Sequence, residues 1–409
     1  MAAWHPGHSV EVLENGDDFF PQALEAIGQA QKEVLLETFI FCNDDIGQAF
    51  RDALIAAAER GAWVSALVDG WGSYYLPRDM VDEMRRAGVH FHFYEPGPKW
   101  LRSRLNILRR MHRKLIVVDG ETAFIGGINL AHNHQSDFGP EFKQDYAARV
   151  RGPVVTEIRN FTRNAFAACA GKDVSGPGSP MVDPVSDGVV PPAGEAQALF
   201  LTRDNDHNLT SIENHYIERI QQAERRVSIA NAYFFPGYRL LRALRDAARR
   251  GVQVQLLIQG LPGSPLAKHA AATLYDFLVE SDIEVYEYWE HQLHGKIAAI
   301  DDDWATIGSS NLDPFSLCFN LEANLFVRDK EVNRSVHAHV QQLIEHSDVR
   351  RIDQSWLRRR TLIKWLRSVL LYHFLRYFPG AAGWLPRLHP KAHINELRDQ
   401  IQARDSHNR

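Results

Sequence analysis

Two hydrophobic rhythms alternate along the chain, an amphipathic helical one and short continuous apolar runs, and the alternation occurs twice. In the first half a helical stretch ends near Ala30 and leads into an apolar run from Val34 to Phe41. A second helical stretch ends at Gly61, a residue suited to close a helix, ahead of the run from Trp63 to Asp69. In the second half a helix ending near Ala223 precedes Val227 to Ala230, and AARRG at 247–251 precedes VQVQLLIQG at 252–260. The segments AAAERGAWVSALVDG and DAARRGVQVQLLIQG match with their glycines in register, so the chain reads as a duplication. Strands alternating with helices predict an α/β fold of two pseudo-symmetric lobes, each a mixed, mostly parallel sheet flanked by helices.

Between the halves, Gly171 to Glu195 is rich in Gly, Pro and Ser and carries no apolar period, which marks a linker. The expected division is therefore an N-terminal lobe over 1–170, a linker over 171–195, a C-terminal lobe over 196–350, and a cationic amphipathic segment with a polar tail over 351–409. A length of 409 residues suits two such lobes. A formal charge of −5 gives no global basic signal for nucleic acid, so any anion binding must be local. Cys42, Cys169 and Cys318 are far apart and in no metal spacing, which fits a reducing compartment. The start, Met1 to Val12, lacks the pattern of a secretory signal, and no stretch is apolar for the ~20 residues a spanning helix needs. Any work on membranes is expected from the surface.

Each half carries one matched motif. MHRKLIVVDGETAFIGGINL supplies His112, Lys114, Asp119, Gly126, Gly127 and Asn129, and LHGKIAAIDDDWATIGSSNL supplies His294, Lys296, Asp301, Gly308, Ser309 and Asn311. Both span 18 residues from His to Asn with identical spacing. His and Lys, two apart on extended chain, share a face, and the Gly-Gly or Gly-Ser step would let backbone approach a ligand. Asp145 and Glu322 add one carboxylate per half and could orient the histidines. Cleaving a phosphodiester needs charge stabilisation, a nucleophile and a proton for the leaving alkoxide. Two His, two Lys and two Asn supply all three, and imidazoles can hold opposite protonation states near neutrality.

The paired motifs resemble the His-x-Lys-x4-Asp motifs of the phospholipase D superfamily over roughly residues 10 to 330. Within it, LETFIF, RRMHRK, KQDYA, NAYFFPGYR and LHGK resemble the bacterial cardiolipin synthases, especially the short form without N-terminal transmembrane helices. The resemblance implies one active site at the lobe interface, with His112 as nucleophile, His294 as acid and base, and no cofactor or metal. It further implies that Lys114, Lys296, Asn129 and Asn311 bind phosphate, and that Asp145 stands near His294 and Glu322 near His112. Asp119 and Asp301 complete the catalytic motifs and are read as structural partners rather than proton carriers. The implied reaction joins two phosphatidylglycerols into cardiolipin and glycerol. Alternatives in the same superfamily are a hydrolysing phospholipase D, a phosphatidylserine synthase-like transferase or a nuclease. The expected partners are phosphatidylglycerol, other anionic phospholipids and the cytoplasmic face of a membrane, with no nucleic acid.

His132 and His134 in NLAHNHQ have the look of a metal pair, but with no third ligand in spacing they read as solvated loop residues. Tyr233, Phe234, Phe235 and Tyr238 suit either core packing or an acyl-chain entrance. Lys99 to Lys114 carries seven cations and no acid, and Trp356 to Phe378 carries six cations with an apolar face. Both read as contacts for an anionic membrane surface, the second equally as a helix packed on a lobe.

Overall fold

The first half begins with β1 (His5–Glu14) and α1 (Asn15–Gln29), followed by β2 (Glu33–Thr38), α2 (Asp45–Glu59), β3 (Trp63–Asp69), α3 (Arg78–Arg86) and β4 (His90–Tyr94). A hairpin of β5 (Leu115–Val118) and β6 (Thr122–Gly126), a two-residue β7 (Lys143–Gln144), β8 (Tyr146–Arg151) and α4 (Val154–Ala170) complete it. The second half repeats the order as β9 (Ala196–Arg203), α5 (Ser211–Gln222), β10 (Arg226–Asn231), α6 (Tyr238–Arg249), β11 (Gln253–Gln259), α7 (Tyr275–Glu280) and β12 (Glu284–Tyr288). Then come β13 (Gln292–Leu293), β14 (Lys296–Ile300), β15 (Trp304–Gly308), β16 (Glu322–Arg328), α8 (Lys330–His346) and an additional β17 (Val349–Ile352). This is a computed structural model, and it describes residues 3–94, 110–170, 190–205, 207–261, 271–313, 316–317, 319–353 and 355. Most of the linker, the cationic stretch as far as residue 109, and the segment from Trp356 onward lie outside the described residues.

One sheet of 15 strands runs through both halves in the order β17-β12-β11-β10-β14-β15-β16-β9-β1-β8-β6-β5-β2-β3-β4. Read outward from the β9–β1 junction, the two sides present the same sequence of equivalent strands. Within this sheet parallel pairing is confined to β2-β3-β4 and β10-β11-β12. The remaining neighbours in this sheet are antiparallel. The expectation of a mostly parallel sheet is therefore corrected. Helices can cross over between β2, β3 and β4, but three-residue connections join β5 to β6 and β14 to β15, and such short links permit only antiparallel partners.

Three large cores, and a small fourth of Leu67, Met111, Phe166 and Ala170, follow from this folding among the described residues. α1, α2 and α3 cover one face of the first half, and α5, α6 and α7 one face of the second. The third core lies between the halves, where Val117, Ile125 and Ala148 meet Ile297, Ile307 and Leu325 together with α4 and α8. Every residue of β2 is buried, which explains its continuous apolar run, and its Glu33 and Glu37 are tolerated because Arg159 and Arg163 hold the first and Arg113 the second.

Asp119 and Asp301 open the two hairpins in the left-handed region, at φ 52° and 49°. The Asp119 carboxylate accepts the backbone N–H groups of Gln31, Lys32 and Glu33, and Asp301 accepts those of Glu224, Arg225 and Arg226. Each aspartate thus pins the helix-to-strand junction of its half to its hairpin. Asp119→Ala should lower unfolding free energy by about 2 kcal/mol, through three N–H groups without an acceptor and a left-handed position without a local polar partner. Asp119→Asn, which keeps an acceptor and tolerates that backbone, should cost less than half as much in denaturant titrations.

Candidate active site

Backbone pairing across the halves builds the site. The His112 N–H donates to Leu321 O at 2.9 Å and the Leu321 N–H to Arg110 O at 2.7 Å, so the approach to the first motif lies beside the approach to β16. Likewise β13 pairs in parallel with β7, and the His294 N–H donates to Gln144 O at 2.8 Å. Each histidine is therefore set one residue from the acid of the opposite half. His112 Nδ1 stands 3.1 Å from Glu322 Oε2, and His294 Nδ1 stands 2.6 Å from Asp145 Oδ2. With Nδ1 committed to a carboxylate, Nε2 is the nitrogen left for substrate in both rings. The Lys114 ammonium donates to His112 O at 2.7 Å, and Lys296 makes the equivalent bond to His294 O.

Electrostatics sharpen the arrangement. Burial, opposed by Glu322 and reinforced by Lys114, holds the His112 imidazolium below its ordinary pKa. Burial and then Lys296, Lys143 and Lys114 push His294 well below. Burial takes Lys114 down to about 7 and Lys296 to about 8, each also lowered by a neighbouring lysine. Burial would raise Glu322, but His112, Lys114 and Ser309 outweigh it and hold it below the usual carboxylate value. The site without substrate thus disfavours both imidazolium ions. Opposite protonation states, expected of the imidazoles near neutrality, require the extra negative charge of a bound phosphodiester.

A pH dependence follows. Both lysines are lowered, so their cationic forms are lost as pH rises through about 7 and 8 in the free protein. For phosphodiester turnover, kcat/KM should therefore fall on its alkaline side below pH 9, while kcat, which reports the anion-bound state, should hold to higher pH. A pH–rate profile checks this, and a kcat/KM level to pH 10 would contradict it.

The expected site residues do not all converge. Asp119 lies five residues beyond Lys114, ~16 Å along the strand, and Asp301 is placed equivalently, both bound to backbone amides. The Gly-Gly step also works differently from the ligand-approach reading. A Cβ at Gly127 would collide with the Asp145 carboxylate, and one at Gly126 with β8. The glycines make room for the acid-bearing strand. In the second half Ser309 uses that space to donate its hydroxyl to Glu322 Oε2 at 2.5 Å. Asn129 and Asn311 are buried; Asn129 Oδ1 accepts the Ile40 N–H, while Asn311 Oδ1 has no hydrogen-bond partner among the described residues.

His134 corrects the reading of HNH as solvated. It is fully buried, its ring 5.6 Å from that of His294, with Nδ1 3.5 Å from Asp145 Oδ2. Its Nε2 faces the Asn129 N–H at 3.4 Å, so its proton belongs on Nδ1, toward the carboxylate. His134, Asp145 and His294 are grouped closely enough to hold a cation, although Asp145 and His294 already bond each other. His132 turns away to Asp137. Asp69 was also missed. Buried and raised to about 6 by that burial, it accepts the Met111 N–H and so fixes the residue before His112. A carboxylate followed by glycine at the end of an apolar strand was its only signal. Tyr233, Phe234, Phe235 and Tyr238 join the second half's packing in part, with Phe234 and Phe235 in its core.

Comparison with known proteins shows the family. The model of the family described as cardiolipin synthase, PLD-like domain, matches twice, over residues 23–146 and 216–344. The chain is 48% identical to cardiolipin synthase B of Salmonella typhimurium across 94% of this chain and 91% of that protein. It is 44% identical to cardiolipin synthase B of Escherichia coli K12 across 95% and 93% respectively. In fold it is similar to phosphatidylserine synthase of Haemophilus influenzae, with a TM-score of 0.66 at 14% identity over 92% of this chain and 95% of that one. Two family domains, each bringing one His-Lys motif to a shared site, make the chain a member of the phospholipase D-like cardiolipin synthase family.

Proposed function

We propose that the protein is a phosphatidyltransferase that moves a phosphatidyl group from one phosphatidylglycerol to another, forming cardiolipin and releasing glycerol. The observation that carries this is the crossed pair of histidine–carboxylate contacts beside two buried lysines, in a chain whose relatives are cardiolipin synthases.

The anionic phosphodiester binds against Lys114 and Lys296, with Asn129 and Asn311 beside it, and its charge raises the proton affinity of His294. His112 Nε2 attacks phosphorus, the bond from phosphorus to glycerol oxygen breaks, and His294 gives its proton to that oxygen. A hydroxyl of the second phosphatidylglycerol then yields its proton to His294 and displaces His112, giving net retention at phosphorus. Glu322 and Asp145 hold the Nδ1–H form of each ring throughout.

The same reading assigns 1–170 and 196–350 as the two lobes, 171–195 as the connector and 351–409 as a cationic segment with a polar tail, although β17 (Val349–Ile352) pairs with β12 and carries the C-terminal lobe at least to Ile352. Among the described residues no helix is long and apolar enough to cross a membrane. The protein would work at the cytoplasmic face, with the cationic stretches 99–110 and 356–378 against anionic lipid. Arg113 and Lys114, at the end of the expected 99–114 stretch, are instead buried, the first on Glu37 and the second in the site.

Purified protein incubated with labelled phosphatidylglycerol, with and without phosphatidylethanolamine, tests the reaction. Cardiolipin and glycerol are expected; phosphatidic acid alone would indicate hydrolysis, and no turnover would refute the proposal. Activity should survive EDTA, because Asp145 and His294 serve each other. Loss in EDTA with recovery on adding Zn2+ would instead make His134, Asp145 and His294 a required cation site.

A further inference from the structure

Among the described residues large apolar side chains are scarce on the surface, and their placement is uneven. Among the described residues five are exposed, and three of these fall in one turn after β3: Trp71 at 59%, Tyr74 at 51% and Tyr75 at 90%. The turn is braced. Asp69 accepts the N–H groups of Trp71 at 3.0 Å and Gly72 at 2.9 Å, and the Phe41 N–H donates to Ser73 Oγ at 3.0 Å. A side chain at position 72 would collide with Phe39, so the turn sits directly on that residue. The Phe39 ring in turn lies 5.0 Å from the His112 imidazole. Arg110, two residues before His112, stacks its guanidinium 4.7 Å over Trp71.

We propose that the Trp71–Tyr75 turn is an aromatic anchor that seats the mouth of the active site on a phospholipid bilayer. The inference rests on the lipid-transfer reading for its choice of partner and on the turn itself for its location. Trp and Tyr prefer the boundary between headgroups and acyl chains, where a ring is apolar on one side and wet on the other. A guanidinium stacked on such a ring stands at the level of lipid phosphates. A braced turn keeps the rings outward and in fixed relation to His112, through Phe39 on one side and the Asp69–Met111 bond on the other. A phosphodiester entering from the bilayer would then meet the nucleophile without leaving the interface entirely.

Co-sedimentation with vesicles of phosphatidylcholine and phosphatidylglycerol tests the anchor without requiring turnover. The double variant Tyr74→Ser/Tyr75→Ser should lower the partition coefficient by about tenfold or more, and Tyr75→Trp should raise it. The loss should persist at high salt, where attraction by cations is screened. The Tyr75→Trp gain keeps the test valid if thermal scans show that the double variant is unfolded. Unchanged partitioning in both variants overturns the anchor. So does a variant that keeps vesicle binding but loses self-association in sedimentation, which would make the turn a contact between copies. If the parent binds vesicles through this turn yet makes no cardiolipin, the anchor stands and the transfer reading fails.

Discussion

His112→Ala and His294→Ala should each reduce cardiolipin formation by on the order of 10⁴-fold or more, and should fail at different steps. The difference appears with a phosphatidyl ester of p-nitrophenol, whose leaving group departs without a proton. His294→Ala retains the nucleophile, so it should release a burst of about one nitrophenol per chain and then stall, leaving an acid-labile phosphoramidate on His112. His112→Ala should give no burst. The geometry is nearly symmetric, since each imidazole has a carboxylate at Nδ1 and a lysine two residues on. The assignment of roles follows the resemblance, since the cationic surroundings of His294 by themselves oppose its protonated form until an anionic substrate is bound. A burst from His112→Ala, with none from His294→Ala, would exchange the two roles.

Asp145→Asn should lower kcat by on the order of 10³–10⁴-fold while the chain stays folded. The carboxylate can only accept, so it fixes the His294 proton on Nδ1 and leaves Nε2 to exchange protons with substrate. An amide can donate to Nδ1 and so stabilise the wrong tautomer. Gly127→Ala should approach the same loss by displacing that carboxylate, whereas Ser309→Ala, which removes one hydrogen bond to Glu322, should cost about tenfold. Thermal unfolding separates these effects from loss of fold. A pH–kcat profile identifies the tautomer effect, because the limb assigned to His294 should move in Asp145→Asn. If Asp145→Asn keeps more than about a tenth of the parent kcat, orientation by Asp145 is not a large part of catalysis.

Local patterns in the sequence determined much of this protein. The duplicated rhythm, the glycine closing α2 and both His-Lys pairs were legible because each depends on neighbours a few residues apart. The residue types supply what phosphodiester cleavage needs, and the resemblance to cardiolipin synthases supplies the particular reaction. Tertiary structure decided what depends on residues far apart in the chain. Which acid meets which histidine is set by β13 on β7 and by Leu321 beside His112, pairings that join residues about 150 and 210 apart. The meaning of Gly127 depended on the strand lying behind it, and the burial of His134 on the packing around a short turn, neither of which a local pattern encodes. The lysine proton affinities depended most of all on the fold, because burial sets them and burial is a property of the assembled molecule, not of the segment that carries the residue.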